Sequence, residues 1–295
     1  MADSTAEFLT TKELADLLRL KERKIYELAA SGEVPCSRAT GKLLFPRQAI
    51  DAWVAHHSSG PTSGRDARCA QVFLGSHDPL LEWSLRASGA ELATFFDGSL
   101  DGLERFARGG GVATGLHVYE PETGDWNLPA VRARFGHAPV ALIEFAWRER
   151  GLIVAPGCES DFGQVVLLGG RRLVPRQDAA GTQVLLRHLM EQAGLGPSEV
   201  TWSDTARTES DAALAVLEGK ADAALGLRAM AEQLRLGFVP LLRERFDLLV
   251  DRAAWFDPPL QRLSDFCRSS AFLARAAELA GYDVSGFGKV HFNGG

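Results

Sequence analysis

The sequence predicts an α/β protein that carries a small winged helix-turn-helix ahead of a larger body of alternating strands and helices. Three observations predict it. The first 56 residues hold two short amphipathic helical runs, a glycine-centred hairpin and a third helical run. The stretch at 57–69 is polar, with Ser, Gly and one Pro, and has no apolar period, so it reads as a linker. From residue 70 onward, apolar β-rich runs alternate with amphipathic ones, the pattern of a sheet with helices on both faces. The expected units are 1–56, the linker at 57–69, and 70–295.

Bulk properties narrow the class. A chain of 295 residues suits about two domains, and 46% hydrophobic residues can fill more than one core. The formal net charge is −6, so any DNA contact must come from a local basic patch. Cys36, Cys69, Cys158 and Cys267 form no Cys-x-x-Cys pair and have no zinc-like His spacing, so free thiols are expected. The N-terminus carries acids where a secretory peptide needs positive charge, and no run approaches the ~20 apolar residues of a membrane span. A soluble, cytoplasmic chain without membrane contact is expected.

The N-terminal elements follow in order. Thr10 or Thr11 is placed to cap a helix, with Glu13 near the capping-box position. Leu14, Leu17 and Leu18 form its apolar face. Leu20 sits in a turn, and a second helix from Lys21 or Glu22 buries Ile25, Leu28 and Ala29 before the Ser31-Gly32 stop. Gly41-Lys42 divides two extended pieces within 36–45, a small wing. Pro46 opens a last helix with Ile50 and Trp53. Lys21, Arg23, Lys24 and Tyr26 on the second helix, with Arg38 and Lys42 on the wing, are the candidate DNA contacts. Phosphates need cations on one surface, and bases are read by side chains near the start of the inserted helix.

This stretch resembles the excisionase family of mercury-resistance-regulator-like DNA-binding domains. The resemblance rests on Leu9-Thr10-Thr11-Lys12-Glu13-Leu14-Ala15, Ile25-Tyr26, Gly32-Glu33-Val34-Pro35, and Phe45 with Ile50 and Trp53. It implies that the second helix enters the major groove and that the wing touches the backbone or minor groove.

In the C-terminal part, strands are expected at 71–74, 92–96, 112–118, 140–145, 152–154, 165–168, 200–202, 221–225 and 248–250. Helices are expected at 79–88, 99–108, 131–134, 181–193, 208–218, 228–235, 258–268 and 270–279. Three junctions share one design. Gly75-Ser76-His77-Asp78-Pro79, Asp97-Gly98-Ser99, and Arg176-Gln177 through Gly181-Thr182 each bring a small hydroxyl to a helix start. Unpaired N–H groups and the positive dipole end there favour an anion. In open α/β sheets such a cleft lies beyond the carboxyl ends of the strands. His77 and His117 are further candidates beside it.

Residues 70–250 resemble the periplasmic-binding-protein-like domain related to molybdate- and tungstate-binding proteins. The carrying residues are Gly75-Ser76-His77-Asp78-Pro79, Gly98-Ser99-Leu100-Asp101-Gly102, and His117-Val118-Tyr119-Glu120-Pro121. Arg150-Gly151-Leu152-Ile153-Val154, Arg176-Gln177, Gly181-Thr182 and Gly219-Lys220-Ala221-Asp222 continue it. It implies a two-lobed type II periplasmic-binding-protein-like fold with Ser76, Ser99 and Thr182 as ligand donors and the 205–211 loop nearby. His77, His117, Arg176, Gln177 and Gly181 complete the candidate ligand set. Ala180 and Gln183 stand where family members often carry a second hydroxyl and an Arg.

The sequence has no Gly-x-x-x-x-Gly-Lys loop, His-Glu-x-x-His or Gly-x-Ser-x-Gly elbow, so no enzyme activity, cofactor or metal is expected. Two resembled parts joined in one chain imply a DNA-binding regulator, expected as a homodimer on double-stranded DNA. Its expected effector is a small oxyanion, molybdate or tungstate. The alternatives are an organic anion or molybdenum-pathway metabolite as effector, or an accessory protein that does not bind DNA.

Overall fold

The computed structural model of the chain describes residues 7–37, 41–47, 49–50, 53–54 and 71–295. The chain divides into two compact units, Met1–Ala67 and Arg68–Gly295. The expected linker lies outside the described residues.

In the first unit, Thr10 caps helix α1 (Thr11–Leu18) through a capping box in which it accepts from the Glu13 N–H while Glu13 accepts from its backbone. Arg19 adopts a left-handed conformation and turns the chain into α2 (Glu22–Ala30), which ends at Ser31 before Gly32, itself at positive φ. Strand β1 (Phe8–Thr10) pairs antiparallel with β2 (Leu44–Pro46). A bridge between Ser37 and Leu44 closes the base of the hairpin. Leu9, Leu14, Ile25, Leu28, Val34, Phe45 and Ile50 pack into one core. Residues 47, 49–50 and 53–54 are helical, as the sequence predicts after Pro46.

The second unit is a ten-stranded mixed sheet. Its first half holds β3 (Val72–Gly75), β4 (Ala93–Phe96) and β5 (Ala113–Leu116), mutually parallel around β3. Helices α3 (Pro79–Ala87), α4 (Ser99–Ala107) and α5 (Leu128–Phe135) belong to this half; a hairpin of β6 (Tyr119–Glu120) and β7 (Asp125–Trp126) precedes α5. Two 15-residue strands, β8 (Val140–Val154) and β12 (Gly237–Asp251), pair antiparallel along their length and cross from this half to the other. The far half pairs β9 (Arg172–Leu173), β10 (Thr201–Trp202) and β11 (Ala223–Leu227) in parallel, with β11 antiparallel to β8. Helices α6 (Gly181–Gln192), α7 (Glu209–Leu217) and α8 (Arg228–Gln233) accompany it. The last elements are α9 (Arg252–Trp255), α10 (Pro258–Phe266), α11 (Ser270–Glu278), β13 (Tyr282–Asp283) and β14 (Val290–Asn293); the two strands add to β8. The two lobes therefore point the carboxyl ends of their parallel strands toward the shared crossover.

Three expectations are corrected. The expected strands at 140–145 and 152–154 are one strand, because Arg148 and Arg150 between them are buried and paired rather than exposed. The strand expected at 248–250 begins at Gly237, for the same reason at Glu244, Arg245 and Asp247. The strand expected at 165–168 is a short 3-10 helix. Only Leu168 of that run is buried, and Val166 and Leu167 are exposed, so it covers the far lobe's core without pairing.

Candidate functional site

On the first unit, α2 buries Ile25, Leu28 and Ala29 and turns the remaining face outward. Lys21 is its N-cap residue and is exposed. The Arg23 side chain is 91% exposed, and Tyr26 is 53% exposed. Arg23 and Lys24 both reach Glu27, at 3.4 and 3.5 Å. Such exposed pairs hold their partners weakly, so the cations stay available to a phosphate. Lys42 is exposed on the hairpin; Arg38 lies outside the described residues.

In the second unit, the strand-to-helix junctions meet where the lobes face each other. Gly75 at the end of β3 has φ +100, and an added Cβ would lie 2.3 Å from the Gly115 carbonyl, so only glycine fits. This close approach sets Ser76 beside Ser99. Their hydroxyl oxygens are 2.7 Å apart, and both residues are buried. Ser99 Oγ also accepts the His117 backbone N–H at 3.1 Å. The His117 ring then meets Glu244 on β12, Nδ1 to Oε2 at 3.1 Å.

Glu244 is the cross-strand neighbour of Arg148 and binds it at 2.5 Å, while Arg148 reaches Asp78 at 2.7 Å. Tyr282 donates to Asp78 at 2.6 Å. Arg150 Nε lies 2.7 Å from Glu244 Oε2, though without hydrogen-bond alignment. Arg148 and Arg150 are two residues apart on one strand, so they share a face. Arg150 goes on to Thr182 at 3.1 Å and to Glu209 at 3.1 and 3.3 Å. Thr182 donates to Glu209 at 3.2 Å, and Arg176 Nη1 to the same carboxylate at 3.1 Å. A continuous polar chain thus runs from Ser76 through Ser99, His117, Glu244 and Arg150 to Thr182.

The electrostatics follow from burial and pairing. Burial alone would raise the Glu209 carboxyl, but Arg150, Arg176 and Arg148 outweigh it and bring it down to about 2. Glu244 is held well below the carboxylate range against the same burial, chiefly by Arg148 and Arg150. Burial pushes the His117 imidazole down more than Glu244 raises it, which keeps the ring neutral at pH 7. Arg148 and Arg150 stay protonated because their carboxylates outweigh burial. Three guanidinium groups, on Arg148, Arg150 and Arg176, face three carboxylates, on Asp78, Glu209 and Glu244.

The other expected ligand residues are placed as follows. Gly181 starts α6 against His117; its added Cβ would lie 2.5 Å from the His117 carbonyl. Gln177 Nε2 donates across the cleft to Asp97 at 3.2 Å. Arg176 spends its remaining donors on the carbonyls of Ala206 and Arg207. His77 is not brought into the network. Its Nε2 meets Glu82 on the adjoining helix at 3.0 Å and its ring meets Phe96 edge-on.

Sequence reasoning missed Arg148, Glu209, Glu244, Asp78 and Tyr282. One signal was present: Arg148-Glu149-Arg150 alternates within an apolar run, which sets two cations on one face of a strand. A cavity of about 850 Å³ lies beside α6, against Gln177, Arg187, Met190 and Trp202. It shares Arg176, Gln177 and Gln183 with the cleft but is not lined by Arg148, Arg150, Glu209 or Glu244.

Residues 82–268 match the family model described as a PBP superfamily domain, and residues 8–58 the one described as a helix-turn-helix domain. Among curated proteins, the chain is 25% identical to the uncharacterized protein YvgK of Bacillus subtilis (strain 168), over 95% of this chain and 96% of that one. It is 29% identical to an uncharacterized protein of the ferredoxin 2Fe-2S gene 5' region in Clostridium pasteurianum, over 36% of this chain and 96% of that one. Among solved structures it is similar to a Clostridium perfringens protein described as a phosphate ABC transporter substrate-binding protein, with phosphate bound. That match has a TM-score of 0.53 and 13% identity, and covers 72% of this chain and 99% of the other.

Proposed function

This chain belongs to the PBP superfamily, whose domain model spans more than half of it, and we propose that it is a DNA-binding regulator whose second unit closes on a small oxyanion. The helix-turn-helix match supports DNA as a partner, and the PBP match supports a small ligand. The observation that carries the oxyanion class is the meeting of Ser76 and Ser99 at 2.7 Å beside the start of α4, across from Thr182 at the start of α6. Neutral hydroxyls and helix starts hold oxyanions without a dedicated cation. Molybdate and tungstate are the effectors that the sequence resemblance favours. The phosphate in the Clostridium perfringens protein is an anion of the same class.

The DNA contacts are Lys21, Arg23, Lys24 and Tyr26 at the start of and along α2, with Lys42 on the hairpin and Arg38, which lies outside the described residues. The ligand contacts are Ser76, Ser99, His117, Arg176, Gln177, Gly181 and Thr182. Ligand shifts the protein between states only by its differential affinity for them. Closure of the lobes in a cytoplasmic homodimer would change the spacing of two DNA modules.

The test is a pair of titrations on the full chain. Molybdate or tungstate raises the melting temperature by mass action. The same ligand then changes retention of promoter DNA. A chain that shows neither heat nor thermal shift with either oxyanion refutes molybdate and tungstate as effectors, and a chain that never retains DNA refutes the regulator.

A further inference from the structure

Two of the expected ligand residues face a carboxylate of the protein itself. Thr182 Oγ1 and Arg176 Nη1 both donate to Glu209 Oε1, at 3.2 and 3.1 Å. Arg150 grips the same carboxylate with both terminal nitrogens, at 3.1 and 3.3 Å. Glu209 is only 1% exposed. Its own helix does not need the side chain, because Thr208 and Asp211 form a complete capping box at the start of α7. Helix α6, by contrast, starts at Gly181 with no side-chain cap. A hydroxyl, two guanidinium groups and an uncapped helix start are the donor set expected of an oxyanion site. Here an internal carboxylate takes the hydroxyl and both guanidinium groups.

We propose that Glu209 is the resident anion of the cleft, occupying the position on the far lobe that a ligand oxyanion takes, and so sets which anions the chain admits. This rests on the oxyanion reading above. An incoming oxyanion must displace Glu209, since two adjacent anions in a buried site repel and lack counter-charge. Weak or singly bonded anions fail to do so. Only a ligand that satisfies Ser76 and Ser99 as well as the far-lobe donors replaces it.

The experiment compares the full-length wild type with Glu209→Gln and Glu209→Ala by calorimetry and thermal melting, using molybdate, tungstate, phosphate and formate. Glu209→Gln keeps the shape but removes the anion, and is expected to bind an oxyanion at least tenfold more tightly than wild type. Glu209→Ala leaves a carboxylate-sized gap, and formate is expected to raise its melting temperature while leaving wild type unmoved. If the alanine variant does not fold, the glutamine variant decides alone. Wild-type binding with no gain in Glu209→Gln overturns this inference and leaves the oxyanion reading standing. Binding by neither protein overturns both. An equal gain from Glu244→Gln also overturns it, because the effect would then be one of net charge rather than of position.

Discussion

Gly181→Ala tests whether the lobes meet where the structure brings them together. An alanine Cβ at this position would sit 2.5 Å from the His117 carbonyl and 3.0 Å from two atoms of its ring. Ordinary contact begins near 3.4 Å, so the start of α6 must retreat from His117 by about 0.9 Å. The carbonyl cannot swing away, because the Val118 N–H of the same peptide plane is held by Asn127 Oδ1 at 2.6 Å and the His117 ring by Glu244. Overpacking of this kind costs about 1–3 kcal/mol. At roughly 2–4 °C per kcal/mol for a domain of this size, the melting temperature should fall by about 2–12 °C. Oxyanion affinity should fall with it, since the two lobes no longer close on one ligand. Gly163→Ala is the control: its Cβ finds nothing nearer than Ser160 O at 3.9 Å, and its φ of −59 suits alanine. Differential scanning calorimetry with and without molybdate reads both effects. If Gly181→Ala melts with wild type and binds ligand unchanged, the contact between α6 and His117 does not exist in solution.

Four further outcomes are expected. Arg23→Ala with Lys24→Ala should abolish retention of promoter DNA and leave the melting temperature within about 1 °C, because exposed ion pairs contribute little; unchanged affinity and salt slope would remove α2 from the interface. Ser99→Ala deprives the buried His117 N–H of its acceptor and Ser76 of its partner, so calorimetry should show ligand affinity reduced roughly ten- to hundredfold; an unchanged affinity would mean that the junctions do not form the site. The pH dependence has a definite sign. Glu209 is held at about 2 against an ordinary 4.5, so its stabilisation is complete above about 4.5 and is lost as pH falls toward 2, about 3 kcal/mol in all. Urea midpoints between pH 5 and 2.5 should fall less steeply for Glu209→Gln than for wild type, and parallel lines would refute the pairing. Light scattering should report a dimer, since one small winged unit makes too few contacts for a unique operator; a monomer protecting a single short site would contradict this.

Local chemistry made much of this protein readable from sequence. The Thr10–Glu13 box, the Ser31-Gly32 stop, Leu14 on α1 and Ile25, Leu28 and Ala29 on α2 are short-range features that the first unit follows, whereas Leu17, expected on the apolar face of α1, is exposed. The junctions at Ser99 and Thr182 are visible because a glycine beside a hydroxyl at a helix start is a local signature, and Ser76 because it follows a strand-ending glycine just ahead of the Asp78-capped helix. What the tertiary structure decided is where the charges go. Arg148, Arg150, Glu244, Arg245 and Asp247 interrupt the apolar pattern of β8 and β12, so each strand reads as shorter than it is. They tolerate burial only because partners distant in sequence meet them, Asp78 for Arg148 and Glu209 for Arg150. Glu209 reads in sequence as an ordinary acidic residue in the first turn of a helix. Only the packing of α7 against the start of α6 and the middle of β8 turns its carboxylate toward the donors that the sequence assigned to a ligand.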